Sequence, residues 1–314
     1  MMSTASRILA VLLVLAPGHT EPRAFEFTEV HMGLPVRMVL HAPDRRAAES
    51  AARAAFSRIA LLDRMMSDYR PDSELRRLSA RADESVRVSP ELLAVISRAV
   101  EISRASEGAF DPTIGPVVAL WREARSTGRL PDPTRLADAR ARVGWHRIEI
   151  DAARSTIRLS GPDMRLDLGG VAKGYILQDA LRTLRDAGIR RALIESGGDI
   201  VVGEAPPGRL GWHVDAPGAD PVFAARARRL TNGAIATSGP AAQFVEIDGV
   251  RYSHVVDPRT GLGVTTDLVA RVIADDATLA DGLATALTIL GAPHVAALQE
   301  RFPEARISLA SASR

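Results

Sequence analysis

The segment that most restricts the fold is Leu166-Asp167-Leu168-Gly169-Gly170-Val171-Ala172-Lys173-Gly174-Tyr175. Arg165 to Leu168 reads as a strand that runs straight into two glycines. A helix follows over about Val171 to Ala187 and stops at Gly188. A helix start leaves its first N–H groups without intrahelical partners, and glycines without a Cβ let a ligand come close to the backbone. Lys173 falls one turn into this helix and is the only lysine in a chain that otherwise uses arginine. Lysine is a compact point charge and arginine a planar fork, so the exception marks a position suited to the smaller cation. Read alone, the unit is also compatible with a plain tight turn.

The remaining pattern mixes the two kinds of secondary structure. Ala24 to Leu40 reads as one or two strands around His31-Met32-Gly33. Asp44 caps a helix to about Met66, with Ala51, Ala55, Ile59, Leu62 and Met66 at helical spacing. Tyr69 to Ser73 is a turn, and Ser89-Pro90 opens a second helix to about Ser106. Residues 122–143 are polar, with proline and glycine, and read as a surface excursion with a short helix. Arg147 to Ile150 and Thr156 to Leu159 read as paired strands, and Ala192 to Ser196 as a strand leading to Gly197-Gly198-Asp199. Asp248-Gly249 sits between two apolar runs, Phe244 to Ile247 and Arg251 to Val255, as in a hairpin. A long helix over about Asp275 to Leu290 closes at Gly291. Crossover and hairpin connections together predict an α+β fold.

The chain has 314 residues and a formal net charge of +2, with no run of five like charges, so it carries no electrostatic footprint for nucleic acid. It has no cysteine, which removes disulfides, thiolate metal sites and a cysteine nucleophile. Arg7, the apolar run Ile8 to Ala16, and Pro17-Gly18-His19-Thr20 follow the plan of a secretory signal peptide. The run is too short to span a bilayer. The expected organisation is a leader over 1–20, cleaved after Gly18 or Thr20, and one domain over 21–314, open to division into two subdomains around a cleft. A soluble periplasmic protein is expected.

Three further segments carry chemistry. In Ala280 to Leu287, Asp281 and Thr285 are i and i+4, so both oxygens leave one helix face. A carboxylate and a hydroxyl beside backbone carbonyls suit a hard cation such as Mg²⁺; a solvated helix face has the same spacing. In Arg251 to Gly261, His254 ends a strand and is a candidate proton acceptor. Asp257 falls on the same side only if the strand bends before Pro258. Ser106 to Pro116 is a stiff loop in which Phe110 would wall a planar ring and Asp111 hydrogen-bond to it.

These segments occur in one order: Met65 to Leu75, Gly108 to Thr113, Asp167 to Tyr175, Gly197 to Ile200, Ala236 to Gly239, Tyr252 to Gly261 and Ala280 to Leu287. The ordered set resembles the FAD:protein FMN transferases, the family long called thiamine biosynthesis lipoprotein ApbE, over nearly the whole chain after the leader. The resemblance implies an ApbE-like fold with FAD in a central cleft and its pyrophosphate, with Mg²⁺, between the glycine turn and the last helix. It implies Asp281 and Thr285 as side-chain metal ligands, with the carbonyls of Gly170 and Ala284 as further ligands. Lys173, Asp167, Met32, Tyr69, Ala109, Phe110 and Asp111 match positions that contact the flavin nucleotide. His254 matches the histidine of the catalytic centre, with Asp257 as its possible orienting partner. Members often have Met-Gly-Thr where this chain has Met32-Gly33-Leu34-Pro35, and many carry a lipid-anchor cysteine that is absent here.

The implied reaction moves FMN from FAD to a threonine hydroxyl of an acceptor flavoprotein and releases AMP. Two alternatives keep the site and change the outcome. Water as acceptor gives an FAD pyrophosphatase, and no reaction at all gives a flavin-binding assembly factor.

Overall fold

The computed structural model describes residues 22–239 and 244–311. The leader read over 1–20 lies outside the described residues. The elements in chain order are β1 (Arg23–His31), β2 (Leu34–Ala42), α1 (Arg45–Met66), α2 (Glu74–Ser79), β3 (Val86–Arg87), α3 (Pro90–Ala105), α4 (Gly115–Thr127) and α5 (Pro133–Ala141). There follow β4 (Ile148–Asp151), β5 (Thr156–Leu159), α6 (Ala172–Asp186), β6 (Ala192–Ser196), β7 (Asp199–Val202), α7 (Pro221–Ala227) and β8 (Gly233–Ser238). The rest are β9 (Phe244–Ile247), β10 (Val250–Ser253), β11 (Val256–Asp257), β12 (Leu262–Gly263), β13 (Leu268–Ala274), α8 (Ala277–Leu290), α9 (Val295–Arg301) and β14 (Arg306–Ser311). This is an α+β fold.

The helix starts follow the side chains that cap them. Asp44 accepts from Ala47 N at 2.8 Å, Ser73 from Arg76 N at 2.9 Å and Ser89 from Leu92 N at 3.2 Å, each satisfying an N–H that the helix itself leaves open. At the β9–β10 turn, Asp248 and Gly249 both take positive φ, 51° and 75°, as the tightest hairpin turns require.

The main sheet has the order β1-β2-β6-β7-β8-β13-β14, and every neighbouring pair is antiparallel. Its strands alternate between two cores. Ala192, Ile194, Ala234, Ala236, Val272 and Ala274 face the larger core, into which α1, α3, α6 and α8 also pack. Leu193, Ile235 and Ile273 face the other side, with Trp212, Val214, Phe223 and Leu230. A helix that is apolar nearly all round belongs inside a layered fold, and α8 is buried along almost its whole length. A third core, built on Val117, Trp121, Ala124, Ala139, Ile247 and Val256, joins α4 and α5 to the β9–β12 segment.

The structure differs from the sequence reading in three places. Arg165 to Leu168 is extended but forms no ladder; a single parallel bridge joins Arg165 to Ile114. The stiff loop ends at Ile114, because Pro116 occupies the first turn of α4, where its missing N–H costs nothing. That helix then takes up residues read as the start of a surface excursion. The strand read to Val255 breaks after Ser253, and a bend at His254 and Val255 separates β10 from β11.

Candidate functional site

The glycine turn brings α6 against α8 at very short range. A Cβ on Gly174 would lie 2.1 Å from the Ala277 carbonyl oxygen, so only glycine permits this crossing. Closeness places the carboxylate of Asp281 at the start of α6, where Oδ2 accepts from Gly174 N at 3.0 Å. One turn further along α8, the Thr285 hydroxyl donates to Gly170 O at 3.5 Å. A Cβ on Gly170 would lie 3.0 Å from Phe110 and 3.1 Å from Thr285 Oγ1, so this glycine is the meeting point of three segments. Phe110 and Ala109 are buried at that junction.

Lys173 projects from the first turn of α6 toward the β6–β7 turn. Its Nζ lies 3.1 Å from Asp199 Oδ2 and donates to Gly197 O at 3.3 Å. The other Asp199 oxygen accepts from Thr237 N at 3.2 Å. Asp199 and Asp281 are both buried, and both carboxylates act on the one ammonium of Lys173. Burial pushes the Asp281 carboxyl up to about 7, helped by the charge of Asp199 and opposed by Lys173 and the Gly174 N–H. Burial likewise raises Asp199, against the pull of Lys173. For Lys173, burial acts downward, but the two carboxylates outweigh it and the net shift is upward. Asp199 was not singled out in the sequence. Its signal was the Gly197-Gly198 pair before it, with φ of 55° and 92°, a turn that aims the next side chain back at α6.

The remaining expected residues fall into two groups. Asp167 belongs to the site's rim: Oδ1 accepts from Gly169 N at 2.8 Å, and Arg122 Nη2 donates to Oδ2 at 3.3 Å. Arg122 also pairs with buried Asp68 and lies over the Tyr69 ring. Burial and the neighbouring Asp68 push the Asp167 carboxyl up, against the Gly169 N–H and the two arginines. Met32 sits in the β1–β2 turn at φ 53°, its N–H donating to Asp63 Oδ2 at 3.3 Å. The same turn reaches the lysine, because Leu34 lies 2.7 Å from where a Gly197 Cβ would be and Lys173 Nζ 3.5 Å.

In the other group the side chains serve the protein's own turns. Asp111 Oδ1 accepts from the N–H of Thr113 at 2.8 Å and its hydroxyl at 2.6 Å, and Oδ2 accepts from Trp145 N at 3.0 Å. Both Asp111 oxygens are thus engaged within the protein. His254 lies in the bend between β10 and β11, the condition under which it and Asp257 could fall on one side. The Asp257 carboxylate is held by Arg259, through Nε at 2.9 Å and Nη2 at 2.8 Å. Trp121 Nε1 donates to Gly261 O at 2.7 Å, and Arg140 donates to Arg259 O, so the Pro258–Gly261 turn is anchored to α4 and α5.

Among the described residues, no group of three His, Cys, Asp or Glu side chains could hold a metal ion. A hard cation would have to rely on fewer side chains plus backbone and ligand oxygens. The Asp281 end of the site fits that demand. Its buried carboxylates outnumber the ammonium, and Asp281 accepts one protein hydrogen bond among the described residues, leaving Oδ1 available. The Thr285 hydroxyl and the Gly170 carbonyl, 3.5 Å apart, are two further oxygens of the kind a hard cation accepts. Ala284 O fits less well, because it already accepts from the Thr288 hydroxyl at 2.9 Å.

Solved structures share this arrangement of elements. The crystal structure of an ApbE protein from Thermotoga maritima has a TM-score of 0.80 and 25% identity, covering 93% of this chain and 97% of that one. The flavinyl transferase ApbE of Pseudomonas stutzeri, in its apo form, has a TM-score of 0.77 and 26% identity, covering 93% and 96%. The fold is thus that of the flavin transferases. The sequence profile of the ApbE family matches residues 32–307, and the chain belongs to that family. Curated relatives carry the name FAD:protein FMN transferase. One from Treponema pallidum is 32% identical, covering 91% of this chain and 84% of its own; one from Vibrio cholerae is 34% identical, covering 75% and 72%.

Proposed function

We propose that this chain transfers FMN from FAD to a threonine hydroxyl of an acceptor flavoprotein, releasing AMP, with Mg²⁺ as the required ion. The observation that carries this reading is the buried Asp199–Lys173–Asp281 cluster at the glycine turn, where α6 begins. In the reaction the threonine oxygen forms a bond to the FMN-side phosphorus. The bond from that phosphorus to the oxygen bridging the two phosphates breaks, and AMP departs with the electron pair.

The protein's own groups divide the work. The Lys173 ammonium and the Gly170 N–H bind the pyrophosphate and offset its charge, while the N–H groups of Val171, Ala172 and Gly174 are already used by Leu168 and Asp281. Asp199 holds Lys173 in place from behind. Phe110 and the 109–111 backbone close the site beside Gly170, and Tyr69, Asp167 and Met32 bound the nucleotide. His254 accepts the threonine proton at an imidazole nitrogen, while Asp257, bound to Arg259, keeps the neighbouring turn rigid. Asp281, Thr285 and the Gly170 carbonyl would hold Mg²⁺, which when bound neutralises phosphate charge and stabilises the leaving oxygen.

The test is incubation of the purified chain with FAD, Mg²⁺ and a flavoprotein domain bearing a candidate threonine. In-gel flavin fluorescence and AMP release are expected in equal amounts. Asp281→Ala should lower the rate by about 100-fold or more. AMP without labelled protein would replace transfer with hydrolysis. Intact FAD in the presence of ion and acceptor would leave a binding protein. We also propose that the chain is exported and acts in the periplasm. N-terminal sequencing of the mature protein, with a start near residue 19 or 21 expected, tests this; an intact N-terminus in the cytoplasmic fraction would sink it.

A further inference from the structure

Tyr69 is 74% exposed, yet one face of its ring has a partner. The guanidinium carbon of Arg122, on α4, lies 3.8 Å from the ring centroid. The same guanidinium is fixed from the other side by a fork. Nη1 lies 2.7 Å from Asp68 Oδ2, Nη2 donates to Asp68 Oδ1 at 2.9 Å, and Nη2 donates to Asp167 Oδ2 at 3.3 Å. Its Nε is buried and has no hydrogen-bond partner among the described residues, a cost accepted in holding this pose. Arg165 steadies Asp68, donating to the backbone carbonyl at 3.0 Å and to Oδ2 at 3.3 Å.

A purely structural ion-pair network would need the fork alone. It would not need an exposed aromatic ring laid against the cation. The ring's exposure means that one face rests on Arg122 and the other is open. At the far end, Asp167 Oδ1 receives the Gly169 N–H, the entrance to the glycine turn. One side chain therefore connects an aromatic platform to the turn that approaches phosphates.

We propose that Arg122 is a positioning residue that holds Tyr69 and Asp167 in one frame, so that Tyr69 presents its free face to a flat heteroaromatic ring of the bound dinucleotide. This rests on the FAD-dependent reading above. A cation stacked behind an aromatic ring fixes its plane, and a planar donor fork can do so while pairing with two carboxylates; lysine can do neither.

The experiment measures FAD affinity by quenching of flavin fluorescence, and kcat and KM for FAD, in wild type, Arg122→Lys, Arg122→Ala, Tyr69→Ala and the Tyr69→Ala/Arg122→Ala double variant. Both Arg122 variants should weaken FAD binding about tenfold, with kcat at saturating FAD within about threefold of wild type. Tyr69→Ala should weaken binding to a similar extent, and adding Arg122→Ala to it should cost little more, because one acts through the other. Competition by ADP and by FMN identifies the ring that rests on Tyr69. Unchanged FAD affinity in the Arg122 variants, additive losses in the double variant, or a fall in kcat at constant KM would overturn the inference. Should Arg122→Ala fail to fold, Arg122→Lys, which keeps the charge, decides on the same criteria. If wild type itself binds no FAD, the proposed function falls with it. If wild type binds and the variants bind equally well, only the role of Arg122 falls.

Discussion

At the scale of single residues, the site depends on the size of one cation. Lys173 Nζ is set between Asp199 Oδ2 and the Gly197 carbonyl, beside a glycine whose absent Cβ would lie only 3.5 Å away and with Leu34 close by. A guanidinium spreads its charge over three nitrogens in a plane and matches these two oxygens less closely than a point charge does. Lys173→Arg should therefore keep the charge and the fold but lower kcat/KM by about tenfold or more, read by steady-state AMP release. Equal activity in the arginine variant would show that charge alone matters. The sequence made this lysine conspicuous, since it stands alone among arginines. It gave less notice of Asp199, whose importance lies in where a two-glycine turn points it. It gave none of Arg122, whose partners Asp68 and Asp167 lie far away along the chain. Asp111 shows the converse: its residue type suggested a ligand contact, while the folded chain uses both of its oxygens for the 111–113 and 145 backbone and the Thr113 hydroxyl.

At the scale of elements, the proposed metal and phosphate contacts depend on how closely α6 and α8 approach. Gly174→Ala would drive a methyl to within 2.1 Å of the Ala277 carbonyl oxygen, and backbone on both sides has to move. Overpacking of this kind costs about 1–3 kcal/mol, occasionally more, and it would also carry Asp281 away from Gly174. The expected result is a lower denaturation midpoint together with loss of transfer activity. Retention of wild-type activity would mean that the helices can separate without harm. Helix starts were readable because Asp44 and Ser89 act within their own turn, and the β9–β10 hairpin because Asp-Gly decides its own geometry. The start of α4 was not, because Pro116 reads as a breaker unless the helix is known to begin beside it. The extended stretch before the glycine turn failed as a ladder strand because pairing needs a partner from elsewhere, and it meets only Ile114.

At the scale of the whole molecule, ligand binding should appear as stability. A ligand that binds the folded chain alone adds about 2.7 kcal/mol at a hundredfold excess over its Kd, several degrees of melting temperature for a chain of this size. FAD with Mg²⁺ should give such a rise, and excess EDTA should reduce it, because the charge balance around Asp281 then lacks its cation. An identical melting temperature with and without the ion would separate the metal from nucleotide binding. The α+β class was legible from the mixture of patterns, but the strand order was not, since the sheet joins segments that no local rule connects. Arg37 of β2 forms its ion pair with Glu195 of β6 across 158 positions.

That pairing also sets a timetable. The β1–β2 hairpin leaves the ribosome early and closes within about microseconds. The inner side of β2 then has nothing to zip against until Ala192, the partner of Leu40, has been synthesised. At about 5–20 residues per second, the wait is on the order of ten seconds or more. Throughout that interval β2 displays a ready-made template for stray strands, which makes the β1–β2 hairpin the place where a holding chaperone has most to guard.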